Sequence, residues 1–410
     1  MASRSRLCLK VLPLALFLLF SIILLSSVPV RADQVLTAGK TWGSGITVDG
    51  SGNILMTGGT ASFGRGQSLA LFMKYAPSGK LLCMKTWGGP QDTFGYGVAF
   101  DSSNNIYVTG ATQSFGGQQP DVFLLKYDSS CNLLFQIPWG GTGNDVGRGV
   151  AVDGFDNVYV TGSTDSYGAG QSDVFLLKYG PSGEFQFSKT WGGSQNDYAS
   201  GVAVDGSGNV YVTGSTGSFG AGQSDVFLLK YDPSGNLSFH ETWGGAQNDY
   251  GSGIAVDGGG NVYVTGSTYG ATSGVASVFL LKYDPSGNLL FEKTWGGTQS
   301  DYGSSVAVDG AGNVCVTGYT YSSSATLGVP NAFLLKYDPS GTLMFQKTWG
   351  GLRGDYGYGV AVDGSGNTYV SGYTYSFGPN RQGVNVFLLR YDPSGNLLFQ
   401  KTYGGGIPDP

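Results

Sequence analysis

Residues 201–214 read G-V-A-V-D-G-S-G-N-V-Y-V-T-G, and residues 226–236 read V-F-L-L-K-Y-D-P-S-G-N, leading into a run from Leu237 to Trp243. Each half is a pair of short runs rich in Val, Phe, Leu and Tyr joined by a turn signal, which is the pattern of a β-hairpin. In the D-x-S-G-N turns the Asp can bond its own downstream backbone, and Gly or Asn takes the left-handed conformation that closes a short hairpin. No 3.6-residue periodicity and no uninterrupted helix-length segment separates the runs, so βαβ units are ruled out. The stretch predicts four strands and two hairpins.

The stretch also recurs. Trp42, Trp87, Trp139, Trp191, Trp243, Trp295 and Trp349 stand at successive spacings of 45, 52, 52, 52, 52 and 54, and Tyr403 follows 54 residues later where an eighth Trp would be. A period of this size marks a solenoid, a propeller or a domain array. The first strand of each period is slight, Val-Ala-Val with Gly flanks, whereas the third and fourth carry Phe, Leu, Tyr and Trp. A blade radiating from an axis needs that gradient, because inner strands are crowded near the channel and outer ones fill widening wedges. The expected fold class is therefore all-β, a seven-bladed β-propeller of four-stranded antiparallel blades occupying residues 33–410. Ring closure has two competing arrangements. Residues 35–42 imitate a fourth strand and would join the last blade, or that blade closes with the run from Leu397 to Tyr403.

The pair of motifs resembles the bacterial and archaeal beta-propeller repeat family, SBBP, which is distantly similar to NHL-type propellers. The resemblance is seven-fold and covers nearly all of residues 33–410. It implies a secreted or surface-exposed seven-bladed propeller and brings no catalytic motif with it. The turn at Phe155 and Asp156 departs from the pattern, which has small residues there, and the loop after Trp42 is short.

Composition narrows the function. Residues 1–32 read as a secretory signal peptide: Arg4, Arg6 and Lys10 precede an uncharged apolar run from Val11 to Val28, with Val30 and Ala32 in an A-x-A-like arrangement. An uncleaved membrane anchor competes with cleavage, since the run is long enough to span. Either way the body is expected to be secreted or on the cell surface. Without the four basic residues of this segment the formal charge moves from −6 to −10, an acidic surface that argues against nucleic-acid binding. Outside the signal segment lie Cys83, Cys131 and Cys315. They read as two buried small hydrophobes and one exposed thiol, with a Cys83 to Cys131 bridge between neighbouring repeats as the alternative.

Candidate chemistry is sparse. His240 is the one histidine and sits where Gln136, Gln346 and Gln400 stand in other repeats, at a position expected to face solvent. Of the 28 acidic residues only Glu184, Glu241 and Glu292 are Glu. One Asp series, exemplified by Asp153, Asp205 and Asp257, recurs at the turns as a structural residue does. A second, Asp145, Asp197, Asp249, Asp301 and Asp355, with Asp92 one place out of register, precedes the innermost strand and either caps loops or lines a polar face. The D-x-S-x-N segments lack the further acidic ligands of an EF-hand, so no cofactor is expected, with calcium at these turns as the alternative. The Lys of L-L-K-Y, replaced by Arg390 in the last repeat, reads as scaffold, its stem along the strand surface.

Function is sought where the symmetry fails. Two residues ahead of the first Val or Ile of each innermost strand stand Ser44, Tyr96, Arg148, Ser200, Ser252, Ser304 and Tyr358, which would ring one mouth of the channel. Arg148, Tyr96, Tyr358 and Ser44 are the candidate site for a small polar or anionic ligand, such as a sugar acid or a peptide carboxylate. The loops between second and third strands should open on the same face, and those carrying Tyr269, Tyr319, Tyr321, Tyr373 and Tyr375 are candidate contacts for an extracellular protein or glycan. The expected function is a monomeric, non-catalytic binding or adhesion module. A carboxylate-based polysaccharide lyase or glycosidase and a structural cell-envelope component are the alternatives.

Overall fold

The computed structural model describes residues 41–61, 67–114, 119–270, 274–323, 328–378 and 383–404. The expected signal peptide and residues 35–40 lie outside them. The described chain forms seven four-stranded antiparallel sheets, each built from strands consecutive in sequence. The blades run Thr41 to Trp87, Thr93 to Trp139, Asp145 to Trp191, Asp197 to Trp243, Asp249 to Trp295, Asp301 to Trp349 and Asp355 to Tyr403. Blade 4 shows the pattern: an inner strand Asp197–Val204, then Val210–Thr216, Asp225–Tyr231 and an outer strand Leu237–Trp243. The fourth strand of the last blade is Leu397–Tyr403, and Thr41 and Trp42 open the inner strand of blade 1.

The turns work as the sequence implies. In blade 4, Asp205 Oδ1 accepts the backbone N–H groups of Ser207 and Asn209, both at 2.9 Å, and Oδ2 accepts the Asn209 amide at 2.8 Å. Gly208 takes a φ of 81°, the left-handed position that the turn requires. Burial alone would raise the carboxyls of Asp101, Asp205, Asp257, Asp309 and Asp363. Side-chain and backbone donors from the Asn four residues on outweigh it, joined by Lys126 at Asp101 and Lys336 at Asp309, and all five sit below the ordinary carboxylate range.

The core lies between blades rather than within them. Among the described residues there are seven apolar clusters, and each combines two neighbouring blades. The seam that closes the ring packs Ile54, Met56 and Leu71 of blade 1 against Tyr369, Leu388 and Tyr403 of blade 7. Among the described residues, six of the seven third-strand cations add a latch. Lys178 Nζ donates to the carbonyl oxygen of Pro233 in the next blade's turn at 2.9 Å, Lys230 to Pro285 at 2.7 Å, and Arg390 to Pro77 at 2.9 Å across the closing seam. These lysines therefore cross a seam instead of lying along the strand surface. Their acidic partners are the turn aspartates, as in Lys74 with Asp49 at 3.4 Å and Lys336 with Asp309 at 3.2 Å.

Cys83 and Cys131 are bridged, and Cys315 is free and buried, so the reading of an exposed thiol gives way to the bridge. The reason is visible at the other six seams. There an outer-strand Phe presses on the turn Gly of the next blade, as Phe135 does on Gly183, Phe187 on Gly235 and Phe399 on Gly79. At the seam between blades 1 and 2, Cys replaces both partners of that contact. Cys131 holds the left-handed turn position with a φ of 67°.

The bridge closes a segment with a sequence separation of 48. Losing it through Cys83→Ser with Cys131→Ser is expected to cost up to about 4 kcal/mol, read as a lowered Tm. Cys83→Phe with Cys131→Gly rebuilds the contact of the other seams and should recover most of that loss; a pair as unstable as the Ser pair would refute the account of the seam. Because the five turn carboxyls are depressed in the folded state, their contribution is complete above the unfolded carboxylate range and is lost as pH falls through the folded values. The denaturation midpoint should hold steady from about pH 7 to about pH 5 and fall below about pH 4. A profile flat to about pH 3 would contradict this assignment.

Candidate functional site

The seven inner strands are Thr41–Val48, Thr93–Phe100, Asp145–Val152, Asp197–Val204, Asp249–Val256, Asp301–Val308 and Asp355–Val362. Each starts five residues before the first Val or Ile of the run from which the sequence reading began it. Each also carries one β-bulge against its neighbour, at Gly43/Gly45, Gly95/Gly97, Gly147/Gly149, Ala199/Gly201, Gly251/Gly253, Gly303/Ser305 and Gly357/Gly359. The extra residues are Ser44, Tyr96, Arg148, Ser200, Ser252, Ser304 and Tyr358. The predicted ring thus lies inside the strands, one bulge per blade, and a bulge re-aims the side chain that it leaves unpaired.

All seven line a single cavity of about 470 Å³ between the inner strands, together with the glycines and aliphatic residues that follow them, Ser163 and Tyr198. Arg148 is the one ionic side chain in this lining. Its guanidinium lies over the Tyr96 ring, 4.6 Å from the centroid, a cation–π arrangement within the cavity lining. Phe94 stacks on the same ring at 6.4 Å. Burial raises the Tyr96 phenol and the Arg148 charge lowers it, with burial winning. Tyr358 stacks on Tyr373 at 5.4 Å, and burial pushes its phenol far above the ordinary range.

The second Asp series caps loops. Asp145, Asp197, Asp249, Asp301 and Asp355 are at most 1% exposed. Asp197 Oδ2 accepts Gly193 N–H at 2.8 Å and Ser218 Oγ–H at 2.7 Å, while Oδ1 accepts the Thr216 hydroxyl. Asp301 and Asp355 repeat this with Gly297, Ser322 and Thr320, and with Gly351, Ser376 and Thr374. In blade 2, Thr93 stands at this register position, and Asp92 instead accepts Ser68 N–H at 2.7 Å. Asp225 and Asp355 are raised, both chiefly by burial, with Asp249 adding to the effect at Asp225. Among the described residues no group of three or more His, Cys, Asp or Glu side chains is placed to hold a metal ion. His240 is exposed on the outer strand of blade 4, 6.3 Å from the Trp191 ring.

Of the five tyrosines assigned to loops, Tyr319 and Tyr373 lie within second strands, Val314–Thr320 and Thr368–Thr374, and Tyr269 ends Val262–Tyr269. Tyr321 and Tyr375 follow their strands directly. The sequence reading missed Tyr250, Tyr302 and Tyr356, the second residues of three inner strands, which pack among those five. The repeated D-Y-G that carries them was the available signal.

The SBBP family, described as Beta-propeller repeat, matches residues 35–63, 87–116, 139–168, 186–220, 243–271 and 349–378. Among curated proteins, the chain is 29% identical over 281 residues to Regulatory protein FlaEY of Caulobacter vibrioides, covering 62% of this chain and 26% of that one. The chain spans about a quarter to a third of the length of the curated relatives it matches. Among solved structures it resembles the periplasmic gluconolactonase PpgL of Pseudomonas aeruginosa, with a TM-score of 0.55, 12% identity and coverage of 91% and 98% of the two chains. Puromycin hydrolase gives a TM-score of 0.53 at 12% identity, covering 93% of this chain and 56% of that one. At these identities the likeness to solved structures is one of fold.

If the buried Asp series serves as loop caps, Asp197→Ala strands Gly193 N–H and the Thr216 and Ser218 hydroxyls. A loss of about 3 kcal/mol is expected in denaturant unfolding; a variant of unchanged stability would count against the capping role.

Proposed function

We propose that this chain, a protein of SBBP beta-propeller repeats, is an exported binding module that holds an anionic ligand group at the mouth of its channel. The observation that carries the reading is Arg148. Six of the seven bulged residues are hydroxyl-bearing, and the seventh places a guanidinium in the shared cavity, pinned over Tyr96. A guanidinium presents a planar fork of donors that suits a carboxylate or phosphate, and holding it against an aromatic ring reduces the freedom lost on binding.

Two further features support the reading. The bridge between Cys83 and Cys131 fits an oxidising compartment, in agreement with the export pattern of residues 1–32. The recurrent carboxylates that a lyase or glycosidase would draw on are engaged in turns and loop caps, which favours binding over catalysis at this mouth. The carboxylates of the D-x-S-x-N turns are likewise occupied by N–H donors, which favours turn closure over calcium coordination.

Titration calorimetry of the purified protein with monomeric sugar acids and with short carboxylate peptides tests this. Arg148→Ala should weaken binding by about tenfold to a hundredfold, the cost of one charge-assisted hydrogen-bonded contact, and affinity should fall as salt is raised. A variant that keeps full affinity would remove the site from consideration.

A further inference from the structure

The channel-mouth cavity is not bounded evenly. On the side of blades 5 to 7 it opens onto a continuous pavement of tyrosines. Tyr358, itself a cavity residue, stacks on Tyr373 and lies 6.3 Å from Tyr319. Tyr319 contacts Tyr356 at 5.0 Å and stacks on Tyr302 at 4.9 Å. The Tyr302 hydroxyl meets that of Tyr269 at 3.4 Å, and the Tyr269 ring contacts Tyr250 at 6.3 Å. The path thus runs from the cavity in blade 7 outward to blade 5 without a break.

Three properties of this surface select its occupant. Ring on ring contact holds the phenols in place, so little freedom is lost when something settles on them. Burial raises the Tyr319 phenol to about 12 and pushes Tyr269 and Tyr356 higher still, so these three remain hydroxyls able to donate and accept. The aspartates that open these three inner strands, Asp249, Asp301 and Asp355, are buried. A rigid, uncharged surface that alternates aromatic carbon with hydroxyls matches a pyranose chain, whose rings offer C–H faces and a rim of hydroxyls. The one charge it leads to is positive.

We infer that the tyrosines of blades 5 to 7 form an extended subsite for an acidic glycan, an oligosaccharide whose terminal uronate sits against Arg148 while its following sugars lie along Tyr358, Tyr319 and Tyr302 toward Tyr250. This rests on the assignment of Arg148 as the anion site and adds the class of ligand and the direction in which it runs. Each inner strand is the edge strand of its sheet, but the next blade's inner strand packs against that edge, a Cβ on Gly97 coming within 3.0 Å of the Arg148 carbonyl oxygen, which leaves an extended peptide no room to add a strand here. A proline-rich peptide, which docks on aromatic grooves without a strand edge, is the competing occupant.

The test is calorimetric titration of the purified protein with galacturonic acid, tetragalacturonate, neutral cellotetraose and a proline-rich peptide. Tetragalacturonate is expected to bind at least about tenfold more tightly than the monomer, and cellotetraose more weakly than tetragalacturonate. Tyr302→Ala should abolish most of the gain from chain length while leaving affinity for the monomer unchanged, and Tyr302→Phe should retain most of it. The exposed Tyr250→Ala provides a second variant that spares the buried contacts, and thermal melts show whether each remains folded. Arg148→Ala should weaken both uronates alike. Equal affinity for monomer and tetramer overturns the extended subsite and leaves the anion site standing. Failure of both uronates overturns both, and a peptide that binds with dependence on Tyr302 in place of the glycan overturns the choice of ligand.

Discussion

Everything in this ring depends on how closely neighbouring inner strands pass one another. A Cβ on Gly359 would come within 2.7 Å of the Ile46 side chain, and one on Gly97 within 3.0 Å of the Arg148 carbonyl oxygen. Such separations exclude a side chain, so the strands can lie this near only where the residue has none. Blade 6 departs, with Ser305 at this position, and its hydroxyl oxygen accepts Val360 N–H at 3.4 Å. The residue just before each of these close approaches is the bulged one. The geometry that lets the ring close therefore also turns seven side chains toward the axis, and scaffold and site are two results of one constraint.

The fold was legible because its determinants are local and repeated. The Asp and Gly of each turn, the Val-rich inner run and the heavy outer run state the same hairpins in every period, and the Trp spacing counts the blades. Less visible was the start of the inner strands. Residues such as Asp197-Tyr198-Ala199-Ser200 have a polar beginning that reads as loop, whereas Asp197 is buried by the hydrogen bonds of the loops above it. That offset put Arg148 and its equivalents ahead of the strand instead of at a bulge within it, although the list of ring residues came out the same. The bridge between Cys83 and Cys131 was undecidable from one repeat. It becomes intelligible once the Phe on Gly contacts of the other six seams are compared.

The tyrosines show a different limit. Tyr319 and Tyr373 were assigned to loops because the second strands were expected to end sooner, and Tyr250, Tyr302 and Tyr356 were read as parts of a repeat rather than as members of a surface. Each is unremarkable along the chain. Their meaning comes from adjacency between blades, as when Tyr319 of blade 6 lies against Tyr356 and Tyr358 of blade 7. Contacts of this kind join different positions of two successive repeats, and a reading that compares equivalent positions passes over them.

Each blade takes its four strands in succession from the chain and borrows none from its neighbours. A tandem duplication or loss of one period would then deliver or remove a finished wedge without rethreading any sheet, and the breakpoints could fall at any blade boundary. Variation can likewise be confined to single wedges, as the exchange of a serine for Arg148 requires no companion change in the other six. The paired cysteines are the counterexample: one stands in each of two adjacent wedges, and a duplication with its boundary between them would separate two halves that only make sense side by side.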